Sequence, residues 1–324
     1  MIPAPQLATN PTAPSPSRKG GKRVLFGWQG ISAKVPSDWS LGAIGGEFKS
    51  GYLRLDDADR PRLEVKWSAG AVDLDKALDK YLRSLKKPRR GREISTEVDA
   101  HLLAQRARPK KSLRSFRWEA ENQAWGVIWS CQVCGRTVVA QVLGRPGEDL
   151  APRAREVLLS LEDHGAEGEL TWAVYGLVCR VPEGYALEKH KLMSGYLQLD
   201  FAQGHRKLKV SRLGLARLLL GERTLRDWLE LENIKRRDVS WEASDLELHG
   251  HPAAQLRGHR RRLGHRLRRA TEKLLQLGPP VDFALQAWAC PDSNRIYLVE
   301  SFHHGEPDVL RRVVNSIPCH TQLQ

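Results

Sequence analysis

Apolar and polar residues alternate with a period of two through residues 51–55 and 63–67, on either side of the polar stretch 56–61. That pattern predicts two strands joined in a hairpin. Residues 24–35 read as a strand that stops at Pro36, and 101–106, 113–120, 124–131 and 137–143 read as further strands. After Asp73 the period becomes helical. Leu74, Ala77, Leu78, Tyr81, Leu82 and Leu85 form one apolar stripe, with Asp73 placed to cap the helix and Pro88 to end it. Residues 152–161 predict a closing helix.

The same pattern then runs a second time. Gly30-Ile31-Ser32-Ala33-Lys34-Val35-Pro36 returns as Gly176-Leu177-Val178-Cys179-Arg180-Val181-Pro182, and Ser50-Gly51-Tyr52-Leu53 as Ser194-Gly195-Tyr196-Leu197. Residues 101–105 (HLLAQ) match 251–255 (HPAAQ), Trp129 and Cys131 with Arg136 match Trp288 and Cys290 with Arg295, and 160–164 (SLEDH) match 316–320 (SIPCH). Matches in the same order at so long a spacing mean a duplicated domain, not a solenoid of short repeats. The expected organisation is a disordered, basic-ended tail over 1–22, repeat 1 over 23–164, a linker over 165–170 and repeat 2 over 171–324. In repeat 2, Thr224 is placed to cap a helix through Trp228, Leu229 and Leu231.

Strands interrupted by one helix and closed by another predict an α+β fold: two tandem copies of an antiparallel sheet packed with helices. The strand ending in Val-Pro before Trp39 or Tyr185, the Gly-Tyr-Leu strand and the late hairpin resemble the PsbP/Mog1/DcrB-like fold. That resemblance implies binding or accessory modules without a shared catalytic site, and carries no functional residue over to this chain.

The chain has 324 residues, 41% of them hydrophobic, with ten tryptophans, enough for two cores. No apolar run is long enough to cross a bilayer, and no leader pattern is read at the start, so no membrane role is expected. Five cysteines, of which Cys131 and Cys290 match between repeats, argue against a disulfide framework and for the cytoplasm.

Cys131-Gln132-Val133-Cys134 has zinc spacing, but structural zinc takes four ligands and no second pair of this kind exists. Its counterpart Cys290-Pro291-Asp292-Ser293 keeps the turn and loses the second sulfur. A structural turn is therefore expected ahead of metal or redox use. His249, His251, Cys290, His303, His304, Cys319 and His320 offer a further metal reading if the fold gathers them. His251, Cys290 and His320 have repeat-1 counterparts, which argues for fold roles, and no metal or cofactor is expected. Phosphate loops, nucleophile elbows and paired-aspartate motifs are lacking, so a non-enzymatic protein is expected.

Charge changes the picture most. There are 52 lysines and arginines against 38 acidic residues, a net charge of +14. Arg89 and Arg90 follow the first helix, Lys110 and Lys111 lie near the next strands, and Arg260, Arg261, Arg262, Arg266, Arg268 and Arg269 crowd repeat 2. Leu263, Leu267, Ala270 and Leu274 among them sit at helical spacing. These basic residues are the candidate contacts to a polyanion, nucleic acid first, because arginine forks match phosphate oxygens. A protein–protein adaptor and a metal protein using Cys and His residues are the alternatives.

Overall fold

The computed structural model describes residues 21–70, 72–86, 94–98, 111–165, 168–234, 236, 239–260, 282–303 and 308–319. The predicted strand over 101–106 and nearly all of the tail lie outside them.

Residues 24–35 are two strands, not one. β1 (Arg23–Trp28) and β2 (Ile31–Pro36) turn back on each other at Gln29-Gly30, both with positive φ. The second repeat does the same with β10 (Glu169–Val174) and β11 (Leu177–Pro182) at Tyr175-Gly176. Two left-handed residues give the turn whose twist fits a two-residue hairpin. The two hairpins join in one four-stranded sheet of order β11-β10-β1-β2, with Gly27 facing Ala173.

Each repeat then builds a seven-stranded antiparallel sheet. In repeat 1, β3 (Ser40–Gly46), β4 (Gly51–Asp56), β5 (Pro61–Ala69), β6 (Ser95–Val98), β7 (Lys111–Glu119), β8 (Gln123–Cys131) and β9 (Arg136–Gly144) take the order β3-β4-β5-β9-β8-β7-β6. In repeat 2 the first strands are β12 (Ala186–Met193), β13 (Tyr196–Gln203) and β14 (Arg206–Gly214). They are followed by β15 (Val239–Leu248), β16 (His251–Arg260), β17 (Asp282–Cys290) and β18 (Arg295–His303). Their order, β12-β13-β14-β18-β17-β16-β15, is the same.

Helices are few. α1 (Leu74–Lys86) lays Leu74, Leu78 and Leu82 on Phe116 and Ile128, and Asp73 Oδ1 accepts from the Asp75 and Lys76 amides as its cap. α3 (Ala216–Leu220) and α4 (Leu225–Asn233), the latter capped by Thr224, cover the outer face of the second large sheet. α2 (Ala151–Ser160) packs between β2 and the β8–β9 hairpin, as α5 (Asp308–Asn315) does between β11 and β18.

The helix-packed α+β fold expected from the sequence is thus overturned. Strands take 57% of the described residues and helices 18%, in three sheets, a mostly-β fold. The stripe of α1 and the helix capped by Thr224 stand where the pattern puts them. The spacing of Leu263, Leu267, Ala270 and Leu274 lies outside the described residues. The main core is built from residues of all three sheets together with α2 and α5. Nor are the halves separate beads: Trp28 meets Trp172 edge-on at 5.2 Å, Trp172 meets Phe201 at 5.0 Å, and one apolar core runs through both repeats.

Candidate functional site

Antiparallel register fixes where the basic runs attach. Val239 of β15 faces Arg260 of β16, so the run Lys235–Arg237 enters the second large sheet beside the point where the run beginning at Arg260 leaves it. Between Arg257 and Lys273 there are eight lysines and arginines against one glutamate. Arg261, Arg262, Arg266, Arg268 and Arg269 lie outside the described residues, and of Arg260 only the strand pairing is described. β16 extends to Arg260, so the arginine run begins as strand. In the first large sheet Ser95 faces Glu119 and Val98 faces Phe116. The run containing Arg89 and Arg90 therefore attaches at the equivalent end, whereas the segment holding Lys110 attaches at the opposite one. Arg89, Arg90 and Lys110 themselves lie outside the described residues.

Next to the Val239–Arg260 pair is an open groove of about 490 Å³ whose lining includes Ser240, Trp241, Arg257, His259, Asp282 and His303. Alternation along β15 and β16 puts Ser240, Glu242, Arg257 and His259 on one exposed face. The His259 ring meets the Asp282 carboxylate at 2.9 Å, and Arg257 Nε donates to Gln255 Oε1. Arg236 turns inward: its guanidinium pairs with Glu300 and packs over the Phe283 and Phe302 rings.

Lys111 corrects its expected role. Its side chain is only 6% exposed, its ammonium pairs with Glu162 at 2.9 Å and Asp163 at 2.8 Å, and it stands over the Trp129 ring. It is an internal tie, turned away from any phosphate. Asp163 is fully buried and also accepts from Trp129 Nε1 and meets His164 Nδ1 at 2.9 Å. Burial works against its charge, yet the Lys111 and Trp129 hydrogen bonds outweigh it and hold the Asp163 pKa down to about 2. Arg114 and Arg117 are likewise paired, with Asp75 and Glu119.

The fold gathers part of the Cys and His set named from the sequence, and brings Asp163 and His164 to the Cys131–Cys134 turn. Cys131, Cys134, Asp163 and His164 place one candidate ligand atom each within 4.8 Å of one another, and so do His251, Cys290 and Cys319 in repeat 2. Cys131 Sγ lies 3.6 Å from His164 Nδ1, and the Cys134 thiol donates to Asp163 at 3.5 Å. Burial pushes the Cys134 thiol up to about 11 and the Cys319 thiol likewise. The strap after each last helix brings these groups in. Ser32 and Glu162 exchange backbone hydrogen bonds, and Ser160 and Ser316 accept from the Lys34 and Arg180 amides at 2.9 and 2.8 Å. The signal was present in the match of 160–164 to 316–320, where Asp163 aligns with Cys319. What the sequence could not supply was the distance from that strap to the strand ends.

No family model and no curated protein matches this chain. Among solved structures it is similar to the crystal structure of MucB in complex with MucA(peri), at 11% identity over 90% of this chain and 88% of that one, with a TM-score of 0.19. A likeness that slight carries no argument about fold or partner. No helix among the described residues is long and apolar enough to cross a membrane.

Proposed function

We propose that this chain is a non-enzymatic cytoplasmic binding protein that holds a polyanion, nucleic acid first, at the end of the second large sheet where β15 begins and β16 ends. The observation that supports this is the Val239–Arg260 pair, which roots the arginine run that begins at Arg260 next to an open groove carrying Arg257 and His259 beside Glu242 and Asp282. Some cations elsewhere on the described surface are matched to carboxylates, as with Arg54 and Asp56 or Arg312 and Glu169. The run from Arg257 to Lys273 carries eight basic residues against one acidic one, and that excess speaks for phosphate contacts of backbone type, which give affinity without reading sequence.

The test is binding of the nuclease-treated protein to single-stranded RNA and duplex DNA across a salt series. Its comparison is a variant with Arg260, Arg261, Arg262, Arg268 and Arg269 all changed to serine. Each phosphate contact contributes about 0.9 to the logarithmic salt slope on duplex DNA, so the variant flattens it by up to about 4.5. Equal binding by the variant, or none at low salt, sinks the reading.

A second reading, a protein–protein adaptor, is favoured by one surface. Leu215, Leu218, Leu231 and Ile234 stand exposed on and beside α3 and α4, Leu218 at 76% and Ile234 at 68%. Changing Leu218 and Ile234 to serine then removes a partner that survives nuclease and moderate salt in pull-downs, while leaving nucleic-acid binding untouched.

A further inference from the structure

The two repeats fasten their last strap to the sheet by different chemistry. In repeat 1, Lys111 faces Cys131 across β7 and β8. In repeat 2, Ala253 faces Trp288, and two steps further along the same antiparallel register His251 reaches the level of Cys290. Register therefore makes His251 the counterpart of Lys111, not of His101 as the HLLAQ and HPAAQ match suggests. The strap supplies Asp163 in repeat 1 and Cys319 in repeat 2. A lysine–aspartate ion pair at 2.8 Å in one copy is thus replaced, at both of its members, by an imidazole and a thiol in the other. The third member, Cys131 or Cys290, is a cysteine in both.

The exchange removes both charges together, and the Cys290 thiol donates to the Cys319 carbonyl oxygen at 3.7 Å, so the trio also forms a neutral hydrogen-bonded hub. Imidazole and two thiols share a different capacity, that of nitrogen and sulfur ligands to a borderline-soft cation. Cys290 is 0% exposed and Cys319 7%, which closes the site to bulk solvent, and three protein ligands leave one of four positions open. Tetrahedral zinc, with bonds of about 2.3 Å to sulfur and 2.0–2.1 Å to nitrogen, holds its ligand atoms about 3.5–3.8 Å apart. The three atoms here, all within 4.8 Å of one another, reach that spacing by closing about 1 Å at most. In repeat 1 the place a cation needs is contested by the Lys111 ammonium on Asp163.

We propose that His251, Cys290 and Cys319 bind Zn²⁺, which ties the strap after α5 to the ends of β16 and β17. Both thiols give up their protons to solvent as the two Zn–S bonds form, and the imidazole binds in its neutral form. No electron moves. The fourth position is left to a ligand that these three residues do not supply.

The test uses the full chain purified under reductant from zinc-supplemented medium, with metal counted by mass spectrometry and Co²⁺ titrated into chelator-treated protein. We expect about one equivalent of zinc per chain, and with Co²⁺ a thiolate charge-transfer band together with the visible absorption of a tetrahedral site. Cys290→Ser with Cys319→Ser abolishes the band and the retained zinc, whereas Cys131→Ser with Cys134→Ser leaves both in place. Wild-type protein that takes up neither metal overturns the proposal, whether its thiols titrate free or Cys290 and Cys319 are recovered as a disulfide. So does metal lost from the Cys131/Cys134 variant and kept by the Cys290/Cys319 one.

Discussion

Lys111 shows how far a charge pattern reaches at the scale of one residue. A sequence counts cations but not their direction, and this one points inward because Asp163, fifty-two positions later, is brought beneath it by the strap. Removing one partner of a buried pair leaves the other charge uncompensated, so Lys111→Ala lowers stability by about 3 kcal/mol. Lys111→Met combined with Asp163→Leu recovers most of that loss. Urea denaturation of the two variants checks it, and additive costs count against a buried pair. The same pair governs acid stability. The folded Asp163 pKa of about 2 lies below its usual 3.8, so its contribution is complete above about pH 5 and is lost as pH falls through the range between those values. It amounts to about 2 kcal/mol, and the double variant therefore shows a shallower acid limb than the natural protein.

Elements were legible where a period and a local signal agreed. The cap at Asp73, the apolar stripe of α1, the β4–β5 hairpin and the closing helix α2 all stand in the described structure close to where the pattern puts them. Residues 24–35 failed because the run stays apolar through a turn whose only sign is Gln29-Gly30, and a two-residue turn leaves no polar gap. Which strands share a sheet was also unreadable, since alternation assigns a face and not a neighbour. Gly30 is the hinge of that hidden turn, and its environment sets its sensitivity. It has φ +81°, and an added Cβ meets Arg136 Nη2 at 2.8 Å and a Phe48 ring carbon at 3.0 Å. The Arg136 guanidinium donates to the Gln29 and Phe48 carbonyls and clamps the turn. Gly135, at φ +65°, has nothing within 4 Å of such a Cβ. Gly135→Ala costs only backbone strain, about 1 kcal/mol, whereas Gly30→Ala costs about 3 kcal/mol because strain and crowding combine. Equal midpoints in chemical denaturation contradict this.

At the scale of the molecule the decisive place is the line where β1 meets β10. A Cβ on Gly27 lies 2.6 Å from the Thr171 carbonyl oxygen, so only glycine lets the two hairpins pair there. Gly27→Val pushes them apart and parts Trp28 from Trp172, with an expected loss of about 3 kcal/mol. Calorimetry of the natural protein shows one transition, and of the variant a broadened or split one. A single sharp transition at an unchanged temperature in the variant refutes the shared core as the source of cooperativity. The line has a consequence for symmetry. β1 and β10 are the same strand of two copies, joined antiparallel, which is how a self-complementary edge pairs with its twin in a two-fold dimer. A single copy of the repeat would expose that edge for pairing with its twin, and the tandem chain holds the same pairing within one molecule. The ion pair beneath one strap, the thiols beneath the other and the arginines crowded into the second copy show the two halves of that pairing carrying different chemistry.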